Sequence, residues 1–167
     1  MKIMDKQEIY ELVVRAIKAE IAQDEESIIG LREASIEAPG AMQSHSDTSK
    51  FQFGTMANTL GELLDTKRAA VAAIKALANA PLSTETQVGI GSVVSIEDLE
   101  QKKSAQYFVV LPDAGGVEVV VDGRLVVVIA ESAPLAQKLM GARVGDVVEF
   151  SVESGAPARR LMIRDIF

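Results

Sequence analysis

Cysteine is absent from this sequence of 167 residues, and histidine occurs only once, at His45. Without cysteine the chain cannot form a disulfide or a thiolate metal site, and a lone histidine has no partner at metal-ligand spacing. The sequence also lacks a glycine-rich phosphate loop, a nucleophilic triad and any apolar run long enough to span a membrane. If the protein takes part in chemistry, these absences indicate that the chemistry belongs to a partner.

Positive charge is also in short supply, because 17 basic residues face 24 acidic ones and the net charge is −7. Broad binding to a nucleic-acid backbone needs a basic face. We therefore expect protein partners and no direct sequence-specific binding of nucleic acid. The first residues, MKIMDKQEIY, lack the apolar block of a signal peptide. A cytoplasmic protein that does not interact with membranes, and that is a monomer, is the expectation.

The first half of the sequence has helical periodicity. Two runs of mainly apolar residues recur in alternating steps of four and three, the spacing of a coiled coil. They are Tyr10, Val14, Ile17, Ile21, Asp24, Ile28 and Leu31, and then Met56, Leu60, Leu63, Lys67, Ala70, Ile74 and Leu77. Facing members of the two runs have residue numbers that add to 91, as expected for antiparallel helices joined by a turn. Residues 1–80 are predicted to form an antiparallel coiled-coil hairpin with its tip near residues 40–50.

One layer of the predicted seam is polar, because Asp24 faces Lys67. Opposite charges at one height fix the register of two helices at some cost in stability. The alternative is that both side chains extend to water from a thin two-helix seam. Both interpretations remain open at the level of the sequence.

The second half has the period of strands. After a linker at residues 81–87, β-branched runs predict an antiparallel sheet with one helix over residues 88–167. Asp122-Gly123 is typical of a two-residue type I′ hairpin turn. The helix is predicted from Ser132 as N-cap, with Pro134 in its first turn and Gly141 past its end. The fold class is therefore α+β, a helical hairpin followed by a small sheet domain.

Four segments of the second half, together with the long hairpin, carry a resemblance to a known family. They are GSVVSIEDL, YFVVLPDA, SAPLAQKLMGARVGDVVEF and LMIRDI. The chain resembles the Gre transcript cleavage factors (GreA/GreB) of bacterial RNA polymerase. The resemblance implies an FKBP-like C-terminal domain that docks on the rim of the polymerase secondary channel, and a coiled coil that reaches toward the catalytic centre. The docking residues that it implies are Ser132, Pro134, Leu135, Gly141, Gly145 and Asp146.

The tip of the hairpin departs from the family. Cleavage-competent members have a loop similar to GDxSEN, whose aspartate and glutamate help to hold a second Mg²⁺ at the polymerase active site. In this chain the tip consists of His45, Ser46, Asp47, Ser49 and Lys50, followed by Phe51. Asp47 and Ser49 match the loop, but Lys50 stands in place of the glutamate and Phe51 in place of the asparagine. One or two carboxylates normally hold such a Mg²⁺ ion. A lysine in place of one carboxylate removes a ligand and repels the metal by its positive charge.

The resemblance implies a secondary-channel regulator of elongation or initiation with no cofactor of its own beyond Mg²⁺ shared with the polymerase. The departure at the tip predicts that it acts without efficient transcript cleavage. Two alternatives remain. The protein is an active cleavage factor that uses Asp47 with Glu37, or it is a binding module for a protein other than the polymerase. Asp47 or Ser46 also suits a plain helix cap. Prolyl isomerase activity is not expected, since an aromatic content of 4% leaves little for an aromatic-lined pocket.

Overall fold

A computed structural model of the protein describes residues 4–37, 46–80, 86–101, 104–151 and 157–167, and at residues 46 and 47 it describes the backbone alone. Two long helices come first, followed by six strands and one short helix. In chain order the elements are α1 (Lys6–Glu37), α2 (Ser46–Ala78), β1 (Val93–Asp98), β2 (Gln106–Leu111), β3 (Glu118–Val121), β4 (Arg124–Ala130), α3 (Pro134–Leu139), β5 (Val147–Phe150) and β6 (Arg159–Ile166). The predicted architecture, a helical hairpin followed by a sheet domain with one helix, is confirmed.

The hairpin seam follows the predicted register on α1 and a modified one on α2. Every predicted seam residue of α1 is buried or half-buried. On α2, however, Met56 and Leu63 are exposed, and their neighbours Ala57 and Leu64 are buried instead. An α-helix has 3.6 residues per turn, so a strict alternation of three and four drifts around its surface. The sequence offers two adjacent leucines, and only the position of α1 decides which of them faces the seam.

The sheet is mixed rather than antiparallel. Its strand order is β3-β4-β2-β1-β6-β5, and β2 pairs with β4 in parallel while the other neighbours are antiparallel. The predicted β3–β4 hairpin is present, with positive φ angles at Asp122 and Gly123. The hairpin places its second strand, not its first, beside β2. The prediction of a purely antiparallel sheet is therefore wrong, because local turn chemistry does not determine which strand of a hairpin joins the neighbouring strand.

Two apolar clusters lie on the two faces of the sheet. One cluster joins strand residues such as Val93 and Val126 to Tyr10, Ile17 and Ile74 of the hairpin. The other places Ala136 and Leu139 of α3 over the opposite face. We call residues 6–21 and 70–78 the hairpin base, because all hairpin residues buried in the first cluster lie there. The remainder of the two helices, residues 22–37 and 46–69, is the distal hairpin.

Helix α3 begins one residue later than the N-cap prediction implies. Ala133, not Ser132, has the N-cap position, and its extended backbone leads into Pro134 at the start of the helix. Alanine has no side-chain acceptor, so the first turn has no side-chain cap. Gly141 follows the helix with a φ of 79°, a left-handed conformation that glycine adopts without steric cost.

Candidate functional site

The distal end of the hairpin is where α1 ends at Glu37 and α2 begins at Ser46. His45 and the rest of residues 38–45 lie outside the described residues, as do the side chains of Ser46 and Asp47. Whether Asp47 or Ser46 caps α2 therefore stays a prediction. Ser49 is half-buried and Lys50 is exposed within the first turns of α2. The Ser35 hydroxyl donates a hydrogen bond to the Lys50 carbonyl at 3.3 Å, so the two helices are still in contact at this level.

Lys50 presents an exposed positive charge near the distal end. Its ammonium group takes part in none of the ion pairs found among the described residues. Glu37, the acidic residue that the cleavage alternative requires, is exposed at the end of α1 and forms none of these pairs either. Positions 47 and 50 are three residues apart in one helix, and residues with this spacing are neighbours on the helix surface.

A polar layer lies between the distal end and the base. The Lys67 ammonium donates to Asp24 Oδ2 at 2.7 Å and lies 2.9 Å from Glu20 Oε2. Lys67 and Asp24 are about four-fifths buried, with 20% and 18% of their side chains exposed. The hydrogen bond to Asp24 raises the pKa of Lys67 above its ordinary value of 10.5; burial opposes this effect and Glu20 adds to it. The predicted facing of Asp24 and Lys67 is confirmed.

The distal hairpin also exposes large apolar side chains that the sequence analysis did not single out as a group. They are Ile29, Ile36, Phe51, Met56 and Leu63. Phe51, with 75% of its surface exposed, lines an open cleft of about 250 Å³ with Gln52, Thr55 and Met56. The sequence did contain a signal for the exposure of Phe51. This aromatic residue lies outside the 3–4 spacing of the seam, so the partner helix is not expected to cover its side chain.

The residues that the resemblance implied for docking lie around α3 and the turn that follows it. Ser132, Pro134, Gly141, Gly145 and Asp146 are exposed, and Leu135 is half-buried. Two of them also build the turn before β5. Asp146 Oδ2 accepts a hydrogen bond from the Arg143 amide at 2.8 Å, and the Gly145 amide donates to the Ile163 carbonyl at 2.8 Å. All six residues lie between Ser132 and Asp146, far along the chain from the tip residues.

A second open cleft, of about 520 Å³, lies where β2 and β4 begin. Tyr107 and Phe108 line it, and the Arg124 guanidinium lies 5.4 Å from the centre of the Tyr107 ring. In the described part of the chain, no three histidine or acidic side chains are grouped as a metal site. No described helix has an apolar stretch suited to crossing a membrane.

Comparison with known proteins identifies the family of the chain. The family model for the C-terminal part of the transcription elongation factor GreA/GreB matches residues 83–166, which is half of the chain. No curated protein matches. Eight chains of solved structures match, and three of them, all similar at low levels, are described below. A structure of the transcription factor Gfh1 has 18% identity and a TM-score of 0.39, with 94% of this chain and 92% of that chain covered.

GreA factor homolog 1 (Gfh1) of Thermus thermophilus has 19% identity and a TM-score of 0.36, with 95% and 94% covered. A prokaryotic GreA/GreB elongation factor from Nitrosomonas europaea has 19% identity and a TM-score of 0.34, with 62% of this chain and 92% of that chain covered. Structural similarity at these levels does not establish function, whereas the sequence match over the sheet domain establishes the family. The chain belongs to the GreA/GreB family of transcription elongation factors.

Proposed function

We propose that the protein binds RNA polymerase through the secondary channel and modulates elongation or initiation without efficient transcript cleavage. The sheet domain anchors the protein on the channel rim through the surface around α3, and the hairpin reaches inward. Family membership supports the partner. The observation that carries the loss of cleavage is Lys50, an exposed cation three residues after Asp47 that takes part in none of the ion pairs among the described residues.

The length of the hairpin supports the reach. Helix α1 has 32 residues, and at about 1.5 Å per residue it extends roughly 48 Å. Most of the distal part packs only on its partner helix, so it projects beyond the apolar clusters of the sheet domain. A hairpin of this length suits insertion into a channel better than a flat protein–protein interface.

The charge at the distal end opposes metal-assisted cleavage. Two-metal hydrolysis of a phosphodiester requires a second ion beside the attacking oxygen. Asp47 is the carboxylate that this chain offers for that ion, with Mg²⁺ shared between protein and polymerase, while Lys50 repels it. At about 6 Å and an effective dielectric constant near 20, one unit charge interacts with another by about 3 kcal/mol. The repulsion is therefore large enough to offset a single carboxylate.

The test is RNA shortening in stalled, backtracked complexes of the cognate polymerase at fixed Mg²⁺. We expect little cleavage with the natural protein and a partial gain, on the order of tenfold, with Lys50→Glu, which corresponds to about 1.4 kcal/mol. The matched control is Lys75→Glu, the same charge change at an exposed site in the last turn of α2. A pull-down with core polymerase shows in parallel whether each variant still binds.

Three outcomes contradict parts of the proposal. Strong cleavage by the natural protein that Asp47→Ala abolishes favours an active cleavage factor, and a further loss with Glu37→Gln assigns the second carboxylate. Equal gains with Lys50→Glu and Lys75→Glu contradict a local role for Lys50. If neither the natural protein nor any variant binds core polymerase, the protein has a different protein partner.

A further inference from the structure

The two parallel strands of the sheet separate at their N-terminal ends. Strand β2 begins at Gln106 and β4 at Arg124, but their pairing begins only with Tyr107 and Val126. On their outer sides both strands remain paired at this level, β2 with β1 and β4 with β3. The cleft of about 520 Å³ lies at this separation, where residues 104–108, 123–125 and 127 line it. We call it the β2–β4 cleft.

The β2–β4 cleft opens at the end of these strands that is opposite to the hairpin base. The Tyr10 hydroxyl donates to the Gly91 carbonyl, and the Gly91 amide donates to the Val110 carbonyl near the C-terminal end of β2. Helix α3 begins beyond the C-terminal end of β4, a strand of seven residues that extends about 20 Å at roughly 3.3 Å per residue. All residues that line the cleft precede α3 in the chain. The proposed docking through the surface around α3 therefore does not account for the cleft.

Arg124 supplies the positive charge of the cleft. Its guanidinium lies 5.4 Å from the centre of the Tyr107 ring. A guanidinium that stacks on an aromatic face keeps its N–H edge available, and this edge binds a carboxylate through two parallel hydrogen bonds. All three arginines of β6, Arg159, Arg160 and Arg164, pair with acidic side chains. Arg124 takes part in none of the ion pairs of the described residues, and no acidic residue lines the cleft.

The cleft also has an apolar floor and neutral polar groups. Phe108 and Val127 are directly paired across β2 and β4 and are half-buried, and Leu125 exposes 50% of its surface. Successive side chains of a strand point to opposite faces, so this floor and the cation lie on two sides of the strand ends. The Ser104 hydroxyl and the Gln106 amide are exposed and supply donors and acceptors without charge.

From this combination we infer that the β2–β4 cleft binds the C-terminal end of a peptide whose last side chain is apolar. The terminal carboxylate pairs with Arg124, and the last side chain packs on Phe108 and Leu125. Ser104 and Gln106 hydrogen-bond to the peptide groups that precede it. Capture of a terminal carboxylate is a recurring mode of peptide recognition.

Two simpler ligands fit the cleft less well. An uncharged apolar ligand leaves the cation unused, and a bare anion leaves the apolar floor unused. The last residue of a peptide carries a carboxylate and a side chain on one Cα, from which they diverge as the two sides of the cleft require. A volume of about 520 Å³ is in the range of sites for drug-sized ligands, which corresponds to two or three residues.

The test is a titration of the ¹⁵N-labelled protein, followed by amide chemical shifts. The probes are N-acetyl-alanyl-leucine, its C-terminal amide, and 4-methylpentanoate, which has the carboxylate and the branched chain but no peptide groups. We expect saturable shifts at Ser104, Gly123 and Arg124 with the acid, in the millimolar range because the cleft is open. The amide should bind about tenfold more weakly, because it lacks the charged hydrogen-bonded pair. The pentanoate should also bind more weakly than the acid.

Two pairs of variants locate the contacts. Arg124→Gln should weaken binding of the acid about tenfold and remove the preference for the acid over the amide. Arg143→Gln, the same change at an exposed arginine outside the cleft, should preserve both. Leu125→Ala should weaken binding about threefold through lost apolar contact. Val144→Ala, at a site with 58% exposure outside the cleft, should leave binding unchanged.

Equal binding of acid and amide, equal effects of Arg124→Gln and Arg143→Gln, or no saturable shift at millimolar peptide would overturn the inference. Binding of 4-methylpentanoate as tight as that of the acid would overturn it too, because the site would then suit a small carboxylate and not a peptide end. The inference is separable from the proposed function, because the titration contains no polymerase. Capture of core polymerase without shifts at the cleft removes the peptide site alone.

Discussion

The hairpin base and the distal hairpin are parts of the same two helices, but different neighbours stabilise them. The base packs on the sheet and buries Ile9, Tyr10, Val13, Ile17 and Ile74 in one cluster with strand residues. Among the described residues of the distal hairpin only Ile28, Ala57 and Leu64 are buried, and they belong to neither apolar cluster. One pair of helices therefore combines a firmly held base with a part that has only a seam.

Because of this difference, substitutions in the two regions of the hairpin should have different consequences. Substitutions in the base change how the hairpin is held on the sheet domain. Those in the distal hairpin change a surface that few other parts of the molecule contact. Regions with few buried apolar contacts open with low free energy. Exposed apolar and charged residues at the distal end are thus tolerated by the fold and available for contact with a partner.

The largest expected effect compares the same truncation in the two regions. Ile74→Ala removes a side chain with no exposed surface from the base, and such changes cost about 2–5 kcal/mol. Ile28→Ala, in the thin distal seam, should cost about 1–2 kcal/mol, and Ile29→Ala, at an exposed site, less than about 0.5 kcal/mol. Urea denaturation monitored by circular dichroism measures all three. Equal losses for Ile74→Ala and Ile28→Ala would remove the distinction between base and distal hairpin.

The second prediction concerns the contact that joins the base to the sheet domain. The Tyr10 hydroxyl donates a hydrogen bond to the Gly91 carbonyl at 2.5 Å. A Cβ added at Gly91 would lie 2.8 Å from that hydroxyl, and the φ of 90° is unfavourable for alanine. Gly91→Ala should therefore cost about 2–3 kcal/mol, the sum of backbone strain and the clash.

Gly116→Ala is the matched control, because Gly116 has a φ of 88° and open space around the added Cβ. It should show the strain alone, about 1–2 kcal/mol. Tyr10→Phe alone should cost about 1 kcal/mol for the lost hydrogen bond. In the Tyr10→Phe background, the cost of Gly91→Ala should approach that of Gly116→Ala. An unchanged cost there would contradict the clash with the hydroxyl.

The third prediction tests the seam register with two adjacent leucines. Leu64 is buried at 4% exposure, whereas Leu63 is exposed at 48%. Leu64→Ala should cost about 1.5 kcal/mol, below the range for a full core because the seam is thin. Leu63→Ala should cost less than about 0.5 kcal/mol. Amide hydrogen exchange of the distal hairpin measures both losses of stability. A larger loss for Leu63→Ala than for Leu64→Ala would support the register expected from the sequence instead.

The fourth prediction concerns the polar layer of Asp24 and Lys67. Lys67→Leu leaves Asp24 without a cation and should cost about 1–2 kcal/mol, less than in a fully buried pair. Asp24→Leu should cost less, about 1 kcal/mol, because Glu20 remains 2.9 Å from the Lys67 ammonium. Replacement of both residues by leucine should be neutral or stabilising. A double variant no more stable than the single variants would contradict this account in urea denaturation.

The layer also has a defined pH dependence. The pKa of Lys67 is raised in the folded protein, so its pairing contributes fully below pH 10.5, the ordinary lysine value. This contribution is lost as the pH rises through the folded-state pKa. The stability advantage of the natural protein over Lys67→Leu should therefore stay constant below pH 10.5 and shrink as the pH rises above that value. A stability advantage that grows with rising pH in this range would contradict a raised pKa of Lys67.

Much of the fold was predictable from local patterns. The 3–4 spacing indicated the hairpin and brought Asp24 opposite Lys67, and Asp122-Gly123 indicated the β3–β4 turn. These features depend on residues close in sequence or on two regular helices of matched length, for which periodicity is sufficient. The departure of Lys50 and Phe51 from the loop of cleavage factors was likewise visible in the sequence alone.

The remaining features depend on how elements pack against one another. The choice of Leu64 over Leu63 requires the position of α1, and the parallel pairing of β2 with β4 requires the order of strands in space. No sequence periodicity predicts that Phe51 and Met56 line an open cleft on α2. None predicts the hydrogen bond between Tyr10 and Gly91 either, because these residues are far apart in the chain. The sequence by itself determined the elements, the β3–β4 turn, the glycine that follows α3 and the charge at the hairpin end, because short-range sterics and spacing control them. Only the tertiary structure decided which faces are covered, because burial depends on contacts between residues distant in the chain.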